Sequence, residues 1–148
     1  YAAAKNFSPT PAEVLIPGET QLVGVCRLRA RAAAPEPVYD DPWRQRLDAG
    51  ALSGSVLRTR RAGDWIRPLG MAGTKSLSDY FTDRKAPGPL RDFLPLIARG
   101  AEVLWVPGYG ISESARLAGG PCAEITCAAE AYIAFALDVR KGEGKDAQ

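Results

Sequence analysis

From Thr20 to Ala32 the chain alternates between apolar and charged positions. Leu22, Val25 or Cys26, and Leu28 are apolar, while Arg27, Arg29 and Arg31 fall on every second position, the period of a half-buried strand. A shorter apolar run, Val14 to Ile16, predicts a strand before it, with Pro17-Gly18 as the turn between them. Val56 to Arg60 predicts another strand, and "RAGD" a turn into "WIRPLG". The period then changes. Ser76 and Asp79 fit a capping box at a helix start, and Leu77, Tyr80 and Phe81 share one helical face. Asp83, Arg84 and Lys85 lie toward its last turn, with Pro87 as the stop. A second short helix is expected from Pro89, burying Leu90, Phe93 and Leu94 and ending at Pro95. "LIARGAEVLWVPG" reads as two strands around Arg99-Gly100, and its continuous apolar run Val103 to Val106 predicts burial on both faces. Ile125 to Val139 reads as a strand, because a turn-like "GGPC" precedes it and β-branched and aromatic residues recur.

These elements predict an α+β fold with two short helices. Residues 1–12 read as a linker or tail, and 13–57 as a β-hairpin plus a connecting segment. Within that segment "PEPVYDDPWRQRLDAGALSGS" looks like loop. Residues 58–139 form the main unit and 140–148 a disordered tail. There is no repeat and no heptad pattern.

Composition narrows the function. The 148 residues suffice for one medium domain, and 46% hydrophobic residues suffice for its core. No apolar run approaches the roughly 20 residues that span a bilayer, so no membrane partner is expected. The chain starts at Tyr1 with neither Met nor a signal-peptide pattern, which reads as a piece of a longer protein. Three cysteines argue against a secreted disulfide framework and suit a reducing cytoplasm. Cys122 and Cys127 resemble half a metal site, but with no histidine and Cys26 far away no metal site is expected. The missing histidine removes every Ser-His and Cys-His arrangement. "GMAGTK" has the wrong spacing for a phosphate loop. No catalytic residue is nominated, and the chain alone is expected to be inactive.

Charge changes the picture by region. The net charge is only +2, yet residues 58–99 hold nine Lys/Arg against four Asp/Glu. A local basic excess points to an anionic partner, nucleic acid first, with a solvated face as the alternative. The candidates are Arg58, Arg60 and Arg61 at a strand end, Lys75 ahead of the capped helix, Arg84 and Lys85 at its end, and Arg91. Lys75 and the positive end of that helix together would favour an anion. Arg27, Arg29 and Arg31 are better explained as keeping an edge strand soluble. Asp64 reads as a turn or cap residue paired with an arginine such as Arg91. Trp65 could stack on a base, though core packing beside a turn is the preferred reading. Trp105 and Phe81 belong to the core. Gly63, Gly70, Gly73 and Gly108 supply backbone freedom or close approach.

The run from Leu57 to Gly108 resembles the C-terminal domain of bacterial tRNA(Ile)-lysidine synthetase. The ordered series is R-x-R-x-x-G-D (Arg58, Arg60, Gly63, Asp64), P-x-G (Pro68, Gly70) and G-x-K-x-L (Gly73, Lys75, Leu77). Phe81, K-x-P (Lys85, Pro87), Arg91 and Pro95 follow, and an apolar strand ends in V-x-G (Val106, Gly108). The resemblance implies a small sandwich- or barrel-like domain, similar to a module of the phenylalanyl-tRNA synthetase β-subunit. It implies a role in recognising tRNA(Ile) while a separate N-terminal catalytic domain, using ATP and Mg, adds lysine to the wobble cytidine. The S-G-G-x-D-S pyrophosphate loop of that domain is absent here, so no cofactor is expected in this chain. A protein-interaction or dimerisation domain with an incidental basic patch is the alternative, and a homodimer stays open as a partner. A-form RNA is read largely through shape, phosphates and 2′-hydroxyls, a task for cations on a rigid scaffold.

Overall fold

Alternation along β3 (Cys26–Ala33) buries Cys26, Leu28 and Ala30 and leaves Arg27, Arg29 and Arg31 exposed, as the pattern predicts. The computed structural model describes residues 9–36 and 41–129. Before β3 come β1 (Ala12–Glu13) and β2 (Gly18–Leu22). After it come β4 (Arg44–Asp48), α1 (Ala49–Leu52), β5 (Val56–Arg58), β6 (Trp65–Ile66), β7 (Lys75–Ser76) and α2 (Leu77–Asp83). A 3-10 turn (Gly88–Phe93), β8 (Leu96–Arg99), β9 (Glu102–Val106), β10 (Gly110–Ile111), a second 3-10 turn (Glu113–Ala115) and β11 (Cys122–Ala129) complete the described chain.

Two sheets share one hydrophobic core. One runs β1-β5-β8-β9-β6-β7, with β10 against β9; the other runs β2-β3-β11-β4. Pairing is antiparallel except at β6, where Trp65 lies opposite Glu102 of β9 in parallel register. The fold is α+β and sheet-dominated, and neither sheet closes into the barrel that was one of the two expected forms. Leu22, Leu28, Leu47, Leu57, Ile97 and Trp105 are among the side chains that pack the core. Val103 to Val106 is buried at every position, as its unbroken apolar run predicts.

Several expectations need correction. The strand expected at Val14 to Ile16 lies earlier, at Ala12–Glu13, and Val14 instead donates its N–H to Ser55 O at 3.1 Å. The long strand from Thr20 breaks at Val23-Gly24, where Val25 N–H donates to Leu22 O and the chain reverses into a hairpin. The segment read as loop holds β4 and α1. Its single buried strand residue, Leu47, gives no periodic signal, and Asp48 caps α1 by accepting from Ala51 N–H at 2.9 Å. The strand from Val56 ends at Arg58 rather than Arg60.

The helix from Ser76 forms with the expected cap, Ser76 Oγ accepting from Asp79 N–H at 3.1 Å. It ends before Pro87 acts. Lys85 takes the left-handed conformation (φ +57°), its N–H donates to Thr82 O, and Ala86 N–H donates to Phe81 O. This pair of bonds is a Schellman closure, a position usually given to glycine. The second helix is the 3-10 turn, with Pro89 in its first turn and Leu90 and Phe93 only half-buried. The strand expected from Ile125 begins at Cys122; residues 130–139, the tail 140–148 and residues 1–8 lie outside the described chain. The boundary expected between residues 57 and 58 falls inside β5, and β3 pairs with β11 from Cys26↔Ala129 to Ala33↔Cys122.

Glu124 ties three strands together. It is buried on β11, directly opposite Arg31 of β3 and Arg46 of β4. Arg31 donates from Nε and Nη2 at 2.9 and 2.7 Å, and Arg46 from Nε at 3.1 Å. Hydrogen bonding from Arg31, joined by Arg46, holds the carboxyl below its ordinary value of 4.5 against the opposing effect of burial. A lowered folded-state value means the ionised group stabilises the sheet above that ordinary value, and the stabilisation disappears as pH falls through the folded one. Glu124→Gln is therefore expected to be less stable than wild type at neutral pH, with the gap narrowing below pH 4.5. Urea unfolding of both proteins across that range measures it, and a gap independent of pH would contradict the ionised role.

Candidate nucleic-acid interface

The turn between β5 and β6 is built around a buried ion pair. Arg58 Nη1 donates to Asp64 Oδ2 at 2.9 Å and Nη2 to Asp64 Oδ1 at 2.8 Å, and both side chains are 2% exposed. The same guanidinium donates to Gly100 O of the β8–β9 turn at 2.9 Å and to Thr59 O at 3.0 Å. Asp64 Oδ2 accepts from Arg61 N–H at 2.8 Å, and Asp64 O accepts from Leu77 N–H at the start of α2 at 3.0 Å. One pair thus joins the Arg61–Asp64 turn, the β8–β9 turn and the first turn of α2. Gly63, in that turn at φ +88°, is where a side chain would be strained. Gly73, expected to be similar, has neither a positive φ nor a near neighbour.

Arg58 is therefore removed from the set of RNA-contact candidates, because it is buried and its terminal nitrogens are engaged inside the protein. Asp64 pairs with Arg58 rather than with Arg91. Arg91 instead donates from Nε to Ala86 O at 3.0 Å, just past the end of α2, and from Nη1 to the hydroxyl of Thr82 in its last turn at 3.3 Å. Arg84 lies over the Tyr80 ring, 5.0 Å from its centroid. Burial raises the Tyr80 hydroxyl above its ordinary value, and the nearby Arg84 charge opposes that shift. Lys85 is exposed, but its backbone closes α2.

The remaining candidates converge. Arg60, Arg61 and Lys75 line a groove of about 830 Å³ between the β5–β6 turn and the start of α2, together with Trp65, Ser76 and Ser78. Arg60 Nε donates to Asp92 Oδ1 at 2.8 Å on the rim, and Lys75 Nζ pairs with Asp83. The Arg61 side chain is exposed and has no hydrogen bond or ion pair among the described residues. The expected help from the α2 N-terminus is small, since Leu77 N–H already bonds Asp64 O and Asp79 N–H bonds Ser76 Oγ.

Trp65 is half-buried on the groove wall, not in the core as preferred from sequence. The signal was present: neighbours on a strand face opposite ways, and fully buried Ile66 sends Trp65 outward. A second cavity of about 460 Å³ takes in Arg46, Arg84, Arg116, Tyr109, Ile111 and Leu117. All three thiols are buried and free of disulfide bonds; a hydrogen bond to Cys26 and then burial raise the Cys127 thiol, which suits packing rather than nucleophilic chemistry. Among the described residues, no group of three or more Cys, Asp or Glu could hold a metal ion.

Residues 56–126 match the family described as the TilS substrate C-terminal domain. The whole fold also superposes on a crystal structure of the TilS C-terminal domain with a TM-score of 0.65 and 25% identity, covering 81% of this chain and 96% of that one. This chain belongs to the TilS C-terminal domain family. Among curated relatives of this TilS-type chain, the tRNA(Ile)-lysidine synthase of Caldanaerobacter subterraneus subsp. tengcongensis is 40% identical over 106 residues, 68% of this chain and 23% of the relative. That of Symbiobacterium thermophilum is 43% identical over 102 residues, 64% of this chain and 20% of the relative. The match therefore spans less than a quarter of either relative's length. Every groove residue, Arg60 through Asp92, lies inside the TilS-matched span.

Removing one partner of the Arg58–Asp64 pair strands the other charge in the interior, at a cost of about 3–5 kcal/mol. Asp64→Asn is expected to lower stability in that range by urea unfolding, and the double change Arg58→Met with Asp64→Leu to recover part of the loss. A loss under about 1 kcal/mol for Asp64→Asn would show that the pair does not hold the turn.

Proposed function

We propose that this chain is the tRNA-recognition domain of a tRNA(Ile)-lysidine synthase. In this reading it helps position tRNA(Ile), in the cytoplasm, while an N-terminal catalytic domain of the same protein carries out the ATP-dependent addition of lysine to the wobble cytidine. The observation that carries the reading is the groove inside the family-matched span, where Arg60, Arg61 and Lys75 converge on a scaffold fixed by a buried ion pair. Cations held at fixed spacing suit the phosphates of A-form RNA. In this reading ATP and Mg act outside this chain, whose sequence contains no S-G-G-x-D-S loop. They belong in this account to the catalytic domain. Among the described residues no helix is long and apolar enough to cross a membrane.

A second reading, a protein-interaction or dimerisation domain, draws on the exposed apolar side chains Leu69 and Met71, both 48% exposed, the first of them beside the smaller cavity. Salt separates the two. Each phosphate contact released on substitution should flatten log affinity against log salt by roughly 0.7–0.9. Arg60 and Lys75 must give up Asp92 and Asp83 to meet a phosphate, whereas Arg61 has no such rival among the described residues. Arg61→Ala is therefore expected to weaken tRNA binding most, with smaller losses for Arg60→Ala and Lys75→Ala and none for Arg27→Ala on the far sheet. Binding titrations at several salt concentrations, with circular dichroism as the folding control, measure this. Equal affinities and slopes in all folded variants would move the reading to protein interaction.

A further inference from the structure

We infer that the groove holds an unpaired nucleotide, its base stacked on Trp65 and its phosphate met by Arg61. The inference deepens the tRNA-recognition reading and rests on it. Three observations carry it. First, strand alternation turns Trp65 to the groove while Ile66 fills the core, so part of a large aromatic side chain is left uncovered on the groove wall. Second, the wall is held from behind: Trp65 N–H donates to Ala101 O at 3.0 Å, and the preceding residue is the buried Asp64. A stacking platform fixed this way loses little freedom when a ring settles on it. Third, hydroxyls and cations share the lining with the ring: Ser76, Ser78, Arg61 and Lys75 are all in it, and its two carboxylates, Asp64 and Asp92, are already paired with Arg58 and Arg60.

A paired stem hides its base faces inside the stack and presents phosphates and 2′-hydroxyls. For that surface cations alone would serve, and an aromatic wall adds nothing. An unpaired nucleotide presents a π-face, polar base edges and a phosphate at once. Aromatic side chain, hydroxyls and an arginine without a partner among the described residues are the complementary set. Hydroxyls accept and donate without preference, so the groove would hold any of the four bases with little discrimination. The volume, about 830 Å³, lies within the range of small-molecule sites and leaves room for one nucleotide with its phosphate.

The test uses the full 148-residue chain and two RNA hairpins with identical stems and 3′ overhangs of equal length. One overhang carries ordinary bases; the other is abasic, with the same sugars and phosphates. Phosphate contacts are then equal in number, and only stacking differs. On the wild type the ordinary overhang is expected to bind about 5- to 100-fold more tightly than the abasic one. Trp65→Ala is expected to abolish that ratio, and Trp65→Phe to retain much of it, while the salt slope of the ordinary hairpin stays unchanged in both. Equal binding of the two hairpins by the wild type would overturn the stacking inference and leave tRNA recognition standing. A ratio that survives in folded Trp65→Ala would overturn it as well, by placing the base elsewhere. Failure of both hairpins and of whole tRNA to bind would overturn the recognition reading and this inference together.

Discussion

The Arg58–Asp64 ion pair is the constraint on which the candidate interface depends. Desolvating two charges is expensive, and a buried pair seldom adds much net stability over well-packed apolar residues. What it supplies here is geometry. A bidentate fork has one good arrangement, and this one also binds Gly100 O, while its carboxylate takes Arg61 N–H and its backbone takes Leu77 N–H. An apolar replacement of equal volume could fill the space but could not specify those backbone positions. Arg61, Trp65 and the start of α2 are placed by this pair, though the pair itself never reaches the surface.

Two kinds of arginine can consequently be told apart among the described residues. Arg31, Arg46, Arg58 and Arg91 serve the fold, through a buried glutamate, a buried aspartate and a carbonyl just past a helix end. Arg60 and Arg61, with Lys75, face the groove. A basic excess counted along the sequence merges these kinds: it marks the segment that holds the groove cations without separating them from the arginines that serve the fold.

Much of the fold was legible because its signals are local. The Ser76 cap, the Leu77, Tyr80 and Phe81 face, and the two strands around Arg99-Gly100 all rest on spacing within a few residues. β4 was not legible, since one buried leucine among Arg, Gln and Asp makes no pattern; it is a strand because Glu124 and the rest of β11 lie beside it. The same holds for Arg58. Nothing near it in sequence distinguishes it from Arg60, and only the meeting of β5 with the β8–β9 turn buries one and exposes the other. The left-handed Lys85 was hidden for a related reason, because the residue type argued against the conformation it adopts.

The central claim is that RNA meets the face bearing Trp65 and Arg61. Backbone and indole N–H resonances of the isotope-labelled chain, followed by NMR during titration with tRNA, test it most directly. The account predicts that shifts concentrate at residues 60–65 and 74–78 and at the Trp65 indole N–H, while the β2–β3 hairpin around Arg27 and Arg29 stays still. Shifts confined to that hairpin, or to the smaller cavity around Tyr109 and Leu117, with the Trp65 indole unmoved, would contradict it.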